Sequence, residues 1–200
     1  MNKKELLIKI CGVTDANIAK QAISASANMI GLVFHPPSIR HINICQAIKI
    51  ADVVHAVGGI VVPVFVNQSK KEIVEISQIL HTKIIQLHGA SIKQVFNLDT
   101  AYTKIIARQP QTVNQYKVTH HDFLLLDNAI PGSGKLLALD NFHKPNQRFF
   151  IAGGLKQNNV QTIIQQFQPD GIDVSTHVET QPGIKSITLI QQFIERARTC

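Results

Sequence analysis

Two side chains in this sequence have both the chemistry and the setting for proton transfer: Cys11, which closes the apolar run Leu6–Cys11, and Asp127, which closes Phe123–Asp127. A carboxyl that follows three leucines is desolvated. Desolvation raises its pKa until it can donate a proton near neutrality. A cysteine can accept a proton as its thiolate, given a nearby cation such as Lys9 or Arg40. A lone cysteine at such a position more commonly packs as a small hydrophobe, whereas a lone aspartate after Leu124, Leu125 and Leu126 is harder to dismiss. One donor and one acceptor without a metal describe proton-transfer catalysis, the chemistry of an isomerase or a lyase.

A second group reads as an anion site. Gly153-Gly154 lets backbone N–H groups approach a phosphate, and Ser175-Thr176 adds backbone and hydroxyl donors. Gly132-Ser133-Gly134-Lys135 resembles the tail of a P-loop but fails as one. The earlier glycine would fall at Ala129, and Leu136 replaces the Ser/Thr that meets magnesium. It reads instead as a loop over the pocket. The nine histidines carry no metal signature: His120 and His121 are adjacent and expected to point apart, and neither H-x-x-x-H nor C-x-x-C occurs. His88, beside Gly89, reads as core or as support for the site; Cys45 and Cys200 read as inert, and Phe34, Phe65 and Phe96 as core.

These residues need elements that gather them. Eight short Ile- and Val-rich runs recur: Leu6–Cys11, Met29–Phe34, Ile60–Val66, Lys83–Leu87, Lys104–Ala107, Phe123–Asp127, Arg148–Ala152 and Gly171–Val174. None alternates strictly, which suits strands covered on both faces in a parallel sheet. Helix-period stripes lie between them, as at Val160, Ile163, Ile164 and Phe167, at Ile187, Ile190 and Ile194, and at Ile73, Ile76 and Leu80. Thr14 or Asp15 is placed to cap a helix over Ala16–Ser26, whereas a helix within Gln109–His121 is poorly patterned and short. Repeated β-then-α units demand parallel strands with right-handed crossovers. Eight units at about 25 residues each fit a compact α/β fold, a single-domain (β/α)8 barrel spanning 1–200. An open doubly wound sheet is the rival, but Cys11-Gly12-Val13-Thr14 stands where a G-x-G-x-x-G turn would be. In a barrel the chemistry sits at the C-terminal ends of the strands, and phosphate sites are commonly built by the loops after strands seven and eight.

Composition bounds the partners. Lys and Arg number 20 against 13 Asp and Glu, a net charge of +7, but the basic residues are scattered. No basic stripe interleaved with aromatics is present, so a small phosphorylated anion is expected rather than nucleic acid. Three cysteines, odd in number and far apart, argue against a disulfide framework and for a reducing compartment. The first apolar segment is too short for a signal peptide or a membrane span, so a cytoplasmic protein without membrane attachment is expected.

In this order the segments resemble phosphoribosylanthranilate isomerase, a (β/α)8 enzyme family of tryptophan biosynthesis. The resemblance runs from Lys9-Ile10-Cys11-Gly12-Val13-Thr14 through Gly31-Leu32-Val33-Phe34, Val64-Phe65-Val66-Asn67, Gln86-Leu87-His88-Gly89, Leu125-Leu126-Asp127, Ala152-Gly153-Gly154-Leu155 and Asp173-Val174-Ser175 to Pro182-Gly183-Ile184-Lys185. It implies a cofactor-free Amadori rearrangement of N-(5-phosphoribosyl)anthranilate, catalysed by a monomer or homodimer. It implies Cys11 as general base, Asp127 as general acid, Arg40 as holder of the anthranilate carboxylate, and the backbones near Gly153, Gly154, Ser175 and Thr176 as the phosphate site. The chain departs from the family pattern at Ile39 and His41 around the arginine, at Pro131, and at Leu137-Ala138-Leu139 where Phe-Asp-Trp is usual. It also has His177 where the family has glycine, a residue mildly strained if that position needs positive φ. Two alternatives stand beside this reading. A related barrel such as an indole-glycerol-phosphate synthase would need several acidic and lysine residues at strand ends, where only the Cys–Asp pair is evident. A degenerate, non-catalytic barrel would hold a phosphorylated ligand without turning it over.

Overall fold

The computed structural model describes residues 5–89, 92, 101–110, 119–128, 134, 135, 137 and 144–199. Eight parallel strands close into a barrel in sequence order: β1 (Leu7–Cys11), β2 (Met29–Val33), β3 (Ile60–Phe65), β4 (Ile84–Leu87), β5 (Thr103–Arg108), β6 (Phe123–Leu126), β7 (Phe149–Ile151) and β8 (Gly171–Val174). All eight expected runs are strands, each displaced by no more than one residue at either end. The helices are α1 (Ala16–Ser24), α2 (Ile44–Ala56), α3 (Lys70–Ile79), α4 (Val160–Phe167) and α5 (Ile187–Arg198). The proposed helix within Gln109–His121 falls largely outside the described residues, as do Phe96, Cys200 and the Gly132-Ser133 half of the loop.

Local chemistry explains the starts and stops. Asp15, rather than Thr14, caps α1 by accepting from the Ile18 N–H at 2.8 Å. That helix ends two residues before the expected Ser26, because Ser26 has turned into the left-handed region at φ 78°. Asn43 with Gln46, and Ser69 with Glu72, form reciprocal capping boxes that start α2 and α3.

Side chains alternate faces along a strand, and in this barrel the alternation sorts the interior from the helix-facing shell. Ile8, Ile10, Ile30, Leu32, Ile85, Leu124 and Ile172 face outward into the large core beneath the helices. Met29, Val62, Ile105, Phe123, Leu125 and Phe150 point inward and plug the N-terminal half of the barrel, with Leu7 and Ile84 packed against them. Phe123 and Phe150 meet edge-on at 5.1 Å. Gly171 makes room for that plug, since a Cβ there would lie 2.3 Å from the Phe150 ring. The plug ends one layer up, where the inward residues become Lys9, Gln86 and Asp173. After β8 a 3-10 turn (Thr176–Val178) leads into a short antiparallel pair, β9 (Glu179–Gln181) and β10 (Ile184–Lys185), turned at Pro182-Gly183. This hairpin, absent from the sequence reading, brings Glu179 and Lys185 to the barrel mouth.

Candidate active site

A cavity of about 480 Å³ opens at the C-terminal end of the barrel. Cys11 enters it from the end of β1, Arg40 from the loop after β2, and Asp127 from the end of β6. Gly153 and Gly154 enter from the β7 loop, Ser175 and Thr176 from the β8 loop. All seven residues expected from the sequence therefore share one pocket.

Asp127 is mostly buried, and burial raises its pKa to about 6, although the Asn128 N–H donates to Oδ1 at 2.8 Å and works the other way. A carboxylic acid near pH 6 is a competent proton donor. Burial also pushes the Cys11 thiol up from its ordinary range, and Asp173 adds to this while Lys9 and Lys185 oppose it. The expectation of a cation beside Cys11 holds in Lys9, but the resting sulfur is a thiol rather than a thiolate.

Lys9 is fully buried and forms an ion pair with Asp173, its register neighbour on β8, at 3.0 and 2.9 Å to the two carboxylate oxygens. Burial works against the ammonium, but Asp173 and Cys11 outweigh it and raise its pKa. Above this pair lies a second network. Arg40 grips Glu179 with both Nε (2.7 Å to Oε1) and Nη2 (2.8 Å to Oε2), and Nη2 also donates to the Thr176 hydroxyl at 3.3 Å. Lys185 donates to Glu179 at 2.5 Å and to the Ser175 carbonyl and hydroxyl at 3.0 and 3.1 Å. The Ser175 hydroxyl in turn donates to the Cys11 carbonyl at 3.0 Å. Its proton is thus directed at the strand that carries Cys11, and the Ser175 contribution to an anion is left to its backbone.

The expected anion cradle has the needed backbone. Gly153 and Gly154 adopt φ of 75° and 71°, a region side chains rarely enter. A Cβ on Gly153 would lie 2.6 Å from Asn128 Nδ2 and 3.2 Å from Asp127 Oδ1. Among the described residues, neither of these glycines donates its N–H to another protein group. Gly134, at φ 71°, lines the same cavity, so the described part of the 132–135 loop reaches the pocket as expected.

Several outcomes differ from the sequence reading. His177 does not adopt positive φ; it lies in the 3-10 turn, lines the cavity, and its ring meets the Leu155 backbone. Burial lowers its pKa, aided by Lys156, so the ring is neutral at physiological pH. His120 and His121 do not point apart: their rings meet at 3.7 Å, because both sit in one tight turn. His88 lines the pocket, where burial lowers its pKa to about 4 and its Nε2 lies 2.8 Å from Gln86 Nε2. A neutral imidazole accepts the Gln86 amide proton there, which leaves Gln86 Oε1 buried without a partner among the described residues. Lys9, Gln86 and Asp173 are inward partners of Cys11, His88 and Ser175 two residues along their strands. That parity was the available signal, and it shows that the Cys–Asp pair is not the only polar group at the strand ends.

A sequence profile described as N-(5'phosphoribosyl)anthranilate (PRA) isomerase matches residues 8–196. An N-(5'-phosphoribosyl)anthranilate isomerase of Streptococcus pneumoniae is 36% identical over 194 residues, covering 96% of this chain and 95% of that protein. The chain belongs to the N-(5'-phosphoribosyl)anthranilate isomerase family. It is an enzyme of the isomerase class, built as the closed eight-stranded barrel that the family's solved structures share. The phosphoribosyl anthranilate isomerase of Thermotoga maritima superposes with a TM-score of 0.83 at 27% identity, covering 98% of this chain and 100% of that one. A phosphoribosyl anthranilate isomerase solved in complex with reduced 1-(o-carboxyphenylamino)-1-deoxyribulose 5-phosphate superposes at 0.80 with 28% identity, covering 98% and 100%. Among the described residues, no helix of this isomerase is long and apolar enough to cross a membrane, and no cluster of three metal-ligating side chains is present.

Proposed function

We propose that this chain converts N-(5-phosphoribosyl)anthranilate to 1-(2-carboxyphenylamino)-1-deoxyribulose 5-phosphate by an Amadori rearrangement, with Asp127 as general acid and Cys11 as general base. The observation that carries the reading is one cavity walled by an acid with a pKa near 6, a cysteine beside a buried ammonium, and two left-handed glycines. Asp127 protonates the ribose ring oxygen as the C1′–O bond breaks, and the nitrogen lone pair closes the C1′=N bond of a Schiff base. The Cys11 thiolate removes the C2′ proton. The electrons of that C–H bond form C1′=C2′ and return the nitrogen its lone pair, and the enolamine tautomerises to the C2′ ketone. Both steps move protons without a change of oxidation partner, so two positioned side chains suffice and no cofactor is called for.

Binding follows from the same walls. The 5-phosphate sits against the N–H groups of Gly153 and Gly154 and the backbone at Ser175 and Thr176. Arg40 receives the anthranilate carboxylate. Glu179 occupies its Nε and Nη2, which fixes the guanidinium plane at the cavity wall. We read residues 1–200 as one barrel domain acting on this small anion in the cytoplasm.

The test follows loss of the fluorescent anthranilate sugar phosphate in wild type, Cys11→Ser and Asp127→Asn. Each substitution is expected to remove most of kcat, about 10²–10⁴-fold, with product-analogue affinity largely kept. Near-normal turnover in either variant overturns its assignment.

A further inference from the structure

Lysine is almost never fully buried unless paired, and Lys9 is fully buried at the floor of the site. Asp173 neutralises its charge, but an ammonium has three N–H donors and the carboxylate takes only part of them. Lys9 and Cys11 are two residues apart on β1, so their side chains leave the same inward face one above the other. The ammonium and the Cys11 sulfur act on each other electrostatically, each favouring the charged form of the other. On the neighbouring strand the register partner of Cys11 is Gly31. A Cβ at Gly31 would lie 2.8 Å from Cys11 Sγ and 2.9 Å from Lys9 Nζ, so β2 omits a side chain that would crowd both sulfur and ammonium.

We propose that Lys9 is the counter-ion of the Cys11 thiolate and that the bare Cα of Gly31 leaves the two the room to approach each other. The inference rests on Cys11 being the base of the proposed reaction. Asp173 then acts as a competitor: by holding the same ammonium it limits how far Lys9 favours the thiolate. The other charged groups facing Cys11 are Lys185, from β10, and Arg40, from the loop after β2. Both are bound to Glu179, and Lys185 also to Ser175. Among the described residues, Lys9 is the cation that acts most strongly on the sulfur, ahead of Lys185.

The experiment measures the pH dependence of Cys11 alkylation by iodoacetamide, in full-length protein with Cys45→Ser and Cys200→Ser so that one thiol reports. Lys9→Met is expected to raise the thiol pKa by about 1 or more, since an adjacent opposite charge shifts a group by about 1–3. Asp173→Asn is expected to lower it, because the ammonium is then left to the sulfur alone. Lys9→Met strands a buried carboxylate and is at risk of misfolding, so the comparison of Asp173→Asn with Lys9→Met/Asp173→Asn decides the matter without it. The double variant should titrate higher than Asp173→Asn. Gly31→Ala should raise the thiol pKa with both charges still in place, and an unchanged titration there removes Gly31 from the proposal. Equal titration of Asp173→Asn and the double variant overturns the role of Lys9. The readout needs no turnover, so it separates from the assignment of the base: a fully active Cys11→Ser would remove Cys11 as base and leave the titration standing, whereas a failed titration with inactive Cys11→Ser removes only the counter-ion.

Discussion

Replacing Asp127 by asparagine should inactivate the enzyme and make it more stable, and the gain should depend on pH in a defined direction. The carboxyl ionises near pH 3.8 when exposed and at about 6 in the fold, because burial disfavours its charged form. Between those values the unfolded chain binds fewer protons than the folded one, so folding loses stability as pH rises from about 4 to 6 and the loss is complete above it. A difference of that size corresponds to about 3 kcal/mol at full ionisation. Some water reaches the cavity, so about 2 kcal/mol is the working figure. Asparagine has the same shape, stays neutral at every pH, and can still accept from the Asn128 N–H through its amide oxygen. Its Tm should exceed that of wild type by about 4–8 °C at pH 8 for a chain of this size, with the advantage shrinking to about 1–2 °C at pH 4. Thermal unfolding of both proteins at pH 4, 5, 6 and 8 measures it. A difference that is constant with pH, or a wild type that is the more stable at pH 8, would mean that Lys9 stabilises the Asp127 carboxylate in place and would refute its role as the acid.

Arg40→Ala should raise KM strongly, about 10-fold or more, because the substrate carboxylate loses a charge-assisted partner worth roughly 1.5–3 kcal/mol; an unchanged KM with product still forming would place the carboxylate elsewhere. Gly153→Ala, which needs positive φ and a Cβ 2.6 Å from Asn128, should weaken competitive inhibition by inorganic phosphate, measured as Ki, more than it lowers thermal stability. Ligand affinity in wild type and His177→Gly should superimpose from pH 5.5 to 8, because burial keeps the imidazole neutral; tightening toward acid in wild type alone would assign a charged His177 to the phosphate. The profile of kcat/KM should rise to about pH 6, stay flat, and fall only beyond the ordinary thiol range, since the active form pairs a protonated Asp127 with an ionised Cys11 and burial raises that thiol. An acid limb that does not move in Asp127→Glu would mean that another group sets it.

The chain's local pattern determined the barrel and the two residues proposed to transfer the protons. Apolar runs of strand length, alternating with stripes of helix period, leave few topologies once crossovers must be right-handed, and Cys11 and Asp127 stand where those runs stop. Desolvation of Asp127 was legible too, because three leucines precede it and the strand that carries them is buried on both faces. The state of Cys11 was not legible. Its thiol depends on Lys9 below it, Asp173 across the β1–β8 register and the missing side chain of Gly31, and the last two come from residues 162 and 20 positions away in the chain. The same holds for Arg40, whose guanidinium plane is set by Glu179 on a hairpin of three- and two-residue strands too short to leave a periodic signal. Periodicity reports what a segment does by itself, namely which face it buries and where it ends. Ionisation and orientation are set by distances between segments, and those exist only once the barrel has closed.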